Sequence, residues 1–219
     1  MKPRIKRIYM AWRPGRSHRR IIVGEVKANA SSVSFSYIKE NVEEARRYGF
    51  VCYPDFPDID KTYDKNVLRV LSGRLNDSTR TDIGEYYSFW NITESVRKDV
   101  LGMLALTGGI LPTDNFEFLP DFYSVKGLSI VSDLSGLSVS PLANGDVAEG
   151  DVLSWAVESD NEHDKEAVAV YKGTRKIGYI KRIHARMFHK RGSDRLKIVV
   201  KRIEHNGHIN KVFMNIMYV

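Results

Sequence analysis

The chain has 219 residues, a formal net charge of +7 and 42% hydrophobic residues, a composition that indicates one or two globular domains rather than a disordered chain. The single cysteine, Cys52, excludes an intramolecular disulfide framework and favours a reducing compartment. No apolar run approaches the ~20 residues of a membrane helix, and the basic N-terminus lacks the apolar region of a signal peptide. We therefore expect a soluble, cytoplasmic protein without a membrane partner.

The first half of the sequence predicts a mixed region of strands and helices. Two strands at 5–12 and 20–27 flank a basic turn, and a third strand at 33–38 leads into a helix at 39–48 that ends at Gly49. Asp64 and Thr93 are candidate caps for two further helices, and the aromatic run 86–90 marks another between them. The second capped helix is expected to end at Gly108, followed by a short strand at 116–119 and a boundary near Pro120.

This half resembles the N-terminal subdomain of HipA-type toxin kinases. The matching runs, in order, are V-G-E-V, F-S-Y, F-P-D-I-D, V-L-R-V-L-S-G-R-L, D-V-L-G-M-L-A-L-T-G-G and F-E-F-L-P. The resemblance implies that residues 1–122 form one domain that docks a protein partner. Kinase activity does not carry over, because the remaining residues contain no Gly-rich phosphate loop, no H-x-D…N run and no D-F-G.

The second half predicts a region dominated by strands. Segments 122–131 and 151–157 read as strands on either side of a long Ser/Gly/Pro-rich loop, and 167–171 and 177–180 form a hairpin. Gly178 indicates a point where another part of the backbone comes close. A basic helix follows, and then a second hairpin at 197–218 with Asn206-Gly207 as its turn.

One run in this half carries a specific resemblance. The pattern N-x-x-D-K-x-A-V-A-V from Asn161 to Val170, followed by K-I-G-Y-I-K-R and a helix, resembles a HIRAN domain. HIRAN domains are small β-barrels of OB-like character, and some bind the 3′ end of single-stranded DNA. The resemblance implies that residues 123–219 form a HIRAN-like barrel with a short helix. The fold class we expect is α+β with two domains.

Three site residues follow from the resemblance. Asp164 falls on the aspartate that accepts a hydrogen bond from a terminal 3′-hydroxyl, and a carboxylate suits that donor. His163 falls where the family often has a tyrosine that supports the last base, and Tyr123 matches the aromatic of the first strand. The alternative is that Asp164 only caps its turn. Asn161 is expected to shape that turn rather than to touch a ligand.

Charge is distributed unevenly along the second half. Residues 142–166 hold eight Asp/Glu against one Lys, a net of −7, whereas residues 172–202 hold twelve Lys/Arg against one Asp, a net of +11. Such a basic stripe attracts phosphates. The alternative is a solvated face whose charge has no ligand. The phosphate-binding candidates are Lys172, Arg175, Lys176, Lys181, Arg182 and Arg186.

No motif in the sequence indicates catalysis or metal binding. Five of the six histidines lie in the second half without the Cys or His spacing of a zinc site. The aspartates between 55 and 64 do not match a calcium loop, and G-x-S-x-G, H-E-x-x-H and P-loop motifs are missing. We predict no enzyme activity, no cofactor and no metal.

The functional hypothesis from the sequence is non-catalytic binding of nucleic acid. Single-stranded DNA, or its 3′ end, is the expected ligand of the second domain. The alternative is a protein-interaction module, such as an antitoxin-like regulatory subunit, in which the HIRAN domain is vestigial.

Overall fold

The computed structural model describes residues 5–15, 18–123 and 126–219. The chain divides into two compact units, Met1–Asp121 and Phe122–Val219. This division lies one residue from the boundary expected from the sequence, at 122/123.

The first unit is built on a four-stranded antiparallel sheet. Its strands are β1 (Arg7–Trp12), β2 (Ile21–Ala28), β3 (Val33–Tyr37) and β4 (Phe116–Pro120), and their order is β3-β2-β1-β4. The last strand of the unit thus pairs with the first. β1 and β2 bury Ile8, Met10, Val23 and Val26, as half-buried strands of alternating character do.

Five helices connect β3 to β4. They are α1 (Lys39–Arg46), α2 (Val67–Ser72), α3 (Ile83–Phe89), α4 (Glu94–Arg97) and α5 (Val100–Thr107). The single helix predicted after Thr93 is wrong, because Asp99 takes an extended conformation (φ −106°, ψ 102°) that separates α4 from α5. α5 ends at Gly108, which adopts φ +72° as a C-cap glycine does.

A buried arginine holds the core of the first unit together. Arg74 is 5% exposed and binds Asp114 through both terminal nitrogens, at 2.7 and 2.9 Å. Its Nε donates to the carbonyl of Gly109 at 2.8 Å. The guanidinium carbon lies 5.2–5.8 Å from the ring centroids of Tyr53, Phe116 and Phe118. Every side of this buried charge is therefore paired or packed, as a charge in an apolar core requires.

The second unit contains a six-stranded antiparallel sheet in the order β5-β10-β9-β6-β7-β8. Its strands are β5 (Ser129–Asp133), β6 (Val152–Val157), β7 (Val168–Lys172), β8 (Arg175–Tyr179), β9 (Leu196–His205) and β10 (Ile209–Tyr218). The β9–β10 hairpin confirms the prediction made from Asn206-Gly207. The strand predicted at 122–131 is wrong in its start, because β5 begins at Ser129.

A backbone bridge closes this sheet into a small barrel. Ser135, just after β5, and Tyr179, at the end of β8, exchange hydrogen bonds of 2.8 and 2.9 Å. Gly178, at φ +153°, allows this approach, since a Cβ there would lie 2.6 Å from the carbonyl oxygen of Ser135. The close approach predicted at Gly178 is confirmed.

One helix, α6 (Arg182–Phe188), covers β7 and leads through a 3-10 turn (Ser193–Arg195) into β9. Its buried face includes Ala185, Met187 and Phe188. Nδ1 of His184 lies 2.9 Å from the hydroxyl of Ser132, a buried contact that joins α6 to β5. α6 therefore presents its remaining, basic face to solvent.

Candidate nucleic-acid interface

The turn between β6 and β7 is shaped by its own side chains. Asn161 Oδ1 accepts hydrogen bonds from the backbone N–H groups of His163 (3.0 Å) and Asp164 (3.1 Å). Asp164 Oδ1 in turn accepts from the N–H of Glu166 at 3.0 Å. These are the local bonds by which Asn and Asp fix turns. The expectation that Asn161 shapes the turn is confirmed, and one oxygen of Asp164 does cap it.

The second oxygen of Asp164 faces a guanidinium. Asp164 Oδ2 lies 3.4 Å from Nε of Arg182, the first residue of α6, whose side chain is 72% exposed. A carboxylate, which can accept a hydrogen bond from a hydroxyl group, and a guanidinium, which can donate hydrogen bonds to a phosphate, thus lie side by side at the surface. A carboxylate accepts a hydroxyl hydrogen bond, and an arginine binds phosphate. His163, next to Asp164, is exposed.

A second contact holds α6 against the same turn. His189 Nε2 lies 3.0 Å from the carbonyl oxygen of Glu166, and because a carbonyl can only accept, this nitrogen carries the hydrogen. Arg186 is exposed, and four residues after Arg182 it lies on the same face of the helix. The turn and the basic face of α6 therefore form one surface.

Tyr123 lies near the far end of α6. The residue is 50% exposed, and the ammonium of Lys190 lies 3.8 Å from the centroid of its ring. Lys190 also approaches the carbonyl of Phe122, at 3.4 Å. One face of the Tyr123 ring is thus occupied by a cation. The structure places this ring beside Lys190, two residues beyond the end of α6.

Besides Arg182, four more of the six phosphate candidates lie in ion pairs inside the second unit, which corrects the sequence-based picture of a free basic stripe. Lys172 binds Asp151 at 2.6 Å, Lys176 binds Glu158 at 3.0 Å, and Arg175 pairs with Asp146. Lys181 is only 8% exposed and pairs with Asp133. The physical reason is that three carboxylates of the acidic segment 142–166 pair with the β7–β8 hairpin, and Asp133 of β5 pairs with Lys181 just after β8, which a charge count along the chain cannot register.

Glu158 is the centre of a polar cluster that sequence reasoning missed. Its two carboxylate oxygens accept from Asn161 Nδ2 (3.2 Å), the Tyr171 hydroxyl (3.3 Å), Lys176 Nζ (3.0 Å) and the Tyr179 hydroxyl (3.0 Å). Burial would raise the pKa of Glu158, but the hydrogen bonds, led by that from Lys176, lower it. The cluster ties the Asp164 turn to β8 through Asn161. Nothing in the sequence distinguished Glu158 from the other acids of its run.

Two negative observations apply to the described ranges. There, His, Cys, Asp and Glu side chains do not gather in groups of three or more that could hold a metal ion. Every helix in the same ranges is too short or too polar to cross a membrane.

Comparison with known proteins defines the second unit. The family model of the HIRAN domain matches residues 123–217, so this unit carries a HIRAN domain. Among solved structures, the chain is similar to the HIRAN domain of human HLTF, with 18% identity over 40% of this chain and 74% of that chain and a TM-score of 0.30. No curated protein matches the chain. The resemblance of residues 1–122 to the HipA subdomain stays a prediction.

Proposed function

We propose that this chain is a non-catalytic nucleic-acid-binding protein whose second unit binds the 3′ end of single-stranded DNA at the Asp164 turn. The pairing of Asp164 with Arg182 on the exposed face of α6 carries this proposal. The carboxylate accepts the terminal 3′-hydroxyl, and the guanidinium binds the adjacent phosphate. The match of residues 123–217 to the HIRAN family supports this reading.

The site that supports the proposal is smaller than the one expected from the sequence. It consists of the Asp164 turn, the exposed cations of α6 and the ring of Tyr123. Lys172, Arg175, Lys176 and Lys181 lie outside it, since each is paired with a carboxylate other than Asp164. Arg182 is paired as well, but its partner Asp164 is the proposed acceptor of the terminal hydroxyl, so one nucleotide can bind to both groups.

The same ion pairs favour the alternative function, a protein-interaction module. They reduce the free positive charge of the second unit, which weakens attraction for any nucleic acid. In both readings we propose that the first unit docks a protein partner, as the HipA resemblance implies. Binding of single-stranded DNA by the purified protein distinguishes the two.

The decisive experiment is a competition between two oligonucleotides that differ only in a 3′-hydroxyl or a 3′-phosphate. Wild-type protein should prefer the hydroxyl end by about tenfold to a hundredfold, because a charge-assisted hydrogen bond contributes about 1.5–3 kcal/mol. The phosphate end also places a like charge against Asp164.

Asp164 variants provide the control for the competition. Asp164→Ala should lose the preference and bind the phosphate end better than wild type does, because Arg182 is released. Asp164→Asn should keep part of the hydroxyl binding, since its amide oxygen still accepts. Equal binding of both ends by wild type would exclude the end-recognition mechanism.

A further inference from the structure

A group of cations in the second unit has no carboxylate partner within the described residues. Of the basic side chains between 181 and 202, Lys181 and Arg182 form ion pairs. Four others are exposed and lie in no ion pair with a described Asp or Glu: Arg186, Arg191, Arg195 and Lys197. They lie between α6 and the start of β9, outside the β7–β8 hairpin that carries paired cations.

The elements that carry these cations follow one another along the chain, and α6 packs on the 3-10 turn, which defines a path along the second unit. Arg186 lies on α6, Arg195 ends the 3-10 turn that packs on α6, and Lys197 lies at the start of β9. Trp155 joins these parts, because its ring packs on Phe188 with centroids 4.9 Å apart while its Nε1 donates to the carbonyl of Leu196 at 3.3 Å. The path therefore begins beside the Asp164 turn and ends on the β9–β10 hairpin.

An aromatic ring accompanies the cations at the far end of the path. The guanidinium carbon of Arg195 lies 5.9 Å from the ring centroid of Tyr218, and the N–H of Val219 donates to the carbonyl of Arg195 at 3.0 Å. Tyr218 pairs with Leu196 across the hairpin and is partly exposed. Cations that neutralise phosphates, interleaved with rings on which bases stack, are the features of surfaces that bind single strands without reading sequence.

We propose that Arg186, Arg191, Arg195, Lys197 and Tyr218 form a strand path that binds the nucleotides on the 5′ side of the DNA end. This inference rests on the proposed function, because the path begins where the 3′ end is bound. It defines the ligand more closely as a single strand of several nucleotides. A terminal di- or trinucleotide fills only the end site, whereas a longer strand also covers the strand path.

Titration of the full chain with 5′-labelled oligothymidylates of three and twelve nucleotides, all with 3′-hydroxyl ends, tests the strand path. Wild type should bind the twelve-mer more tightly, with a steeper dependence on salt. Each phosphate contact contributes ~0.7 to the log–log salt slope of a single strand. The double variant Arg195→Gln/Lys197→Gln should lower that slope by about 1.4 and weaken twelve-mer binding by roughly tenfold at low salt. Its three-mer binding should stay within about twofold of wild type on the same estimate.

The matched control removes the same charge elsewhere. Lys65 and Lys98 are exposed lysines of the first unit, and Lys65→Gln/Lys98→Gln should keep the wild-type length dependence. Equal affinity of wild type for both lengths, or equal effects of the two double variants, would overturn the strand path. A polyglutamate peptide that competes as well as an oligonucleotide of the same charge would also overturn it, because aromatic stacking would then contribute nothing.

The two proposals can fail separately. The preference for a 3′-hydroxyl over a 3′-phosphate should be unchanged in Arg195→Gln/Lys197→Gln. Loss of end preference in wild type with intact length dependence rejects end recognition and keeps the strand path. Intact end preference without length dependence rejects the strand path alone.

Discussion

Asp164 and Arg182 form an ion pair, with Oδ2 and Nε 3.4 Å apart, that joins the β6–β7 turn to the first residue of α6. The arginine is the more exposed partner, and exposed ion pairs contribute little to stability, about 0–1 kcal/mol. A DNA phosphate can therefore take the place of the carboxylate on Arg182 at small cost. The pair positions both groups before the ligand arrives.

Arg182→Gln should weaken binding of all single-stranded sequences to a similar degree. The loss of one phosphate contact should lower the log–log salt slope by about 0.7. Titration of two unrelated oligonucleotides at two salt concentrations measures both quantities. Arg175→Gln is the control, because Arg175 lies on the β7–β8 hairpin, outside the proposed site, and is paired with Asp146. An equal loss in both variants would contradict the placement of the site on α6.

Asn161→Ala should impair both the stability of the turn and the end preference. The substitution removes the acceptor for two backbone N–H groups and the donor to Glu158, which costs about 1 kcal/mol or more in unfolding free energy. Urea denaturation and the hydroxyl–phosphate competition measure the two effects. Asn161→Asp keeps the backbone acceptor and should retain more of the end preference than Asn161→Ala does. A variant with wild-type end preference would show that Asn161 does not position Asp164.

Gly178→Ala should destabilise the second unit by about 1–3 kcal/mol, through overpacking at the Ser135 carbonyl, in addition to the strain of its positive φ. Gly173→Ala is the comparison for a glycine without a close neighbour, because Gly173 also has a positive φ, of +59°, but has open space around it. Urea denaturation should show a larger loss for Gly178→Ala. Equal losses would mean that the close approach at the barrel seam contributes nothing.

The contribution of Asp114 to the free energy of unfolding of the first unit should decrease at low pH. Burial alone would raise the pKa of Asp114, but hydrogen bonds from Arg74 and from the N–H of Phe116 lower it. A carboxyl with a lowered folded-state pKa contributes stability above its unfolded pKa of ~3.9, and that stability is lost as the pH falls through the folded pKa. The difference in unfolding free energy between wild type and Asp114→Asn should therefore shrink from pH 7 towards pH 3. A difference independent of pH would contradict this assignment.

The two units should fold independently. Each has its own sheet and its own buried residues, and domains of this kind usually fold alone. Residues 122–219 expressed alone should unfold cooperatively in urea and keep the binding of 3′-hydroxyl ends. A fragment without a cooperative transition, or with native-like circular dichroism but no binding, would show that the second unit depends on the first.

Short sequence motifs correctly predicted the structural features that depend on only one or two residues. Asn206-Gly207 predicted the β9–β10 hairpin, Gly178 predicted a close approach, and Asn161 predicted the turn that carries Asp164. Each of these features depends on the conformation or hydrogen bonding of one or two residues. The break at Asp99 was missed because the apolar spacing on both sides of it is helical.

The electrostatics of the site could not be predicted in the same way. The sequence showed an acidic run and a basic run, but not that Asp146, Asp151 and Glu158 would pair with the hairpin cations. These pairs join residues 18–29 positions apart along the chain, and they depend on which strands are neighbours. For the same reason the sequence did not indicate the roles of His189 and Lys190. Their contacts with Glu166 and Tyr123 form only when α6 packs against β7.

The bridge between Ser135 and Tyr179 has a consequence for how partners can bind. Strands at the edge of a sheet offer unpaired N–H and carbonyl groups to which another chain can add a strand. Here the N–H and carbonyl groups of both residues are already bonded to each other. A protein partner therefore cannot extend the sheet at this position. Recognition along this seam has to proceed through side chains, which is how a surface binds a nucleic acid, whose own backbone offers no strand to add.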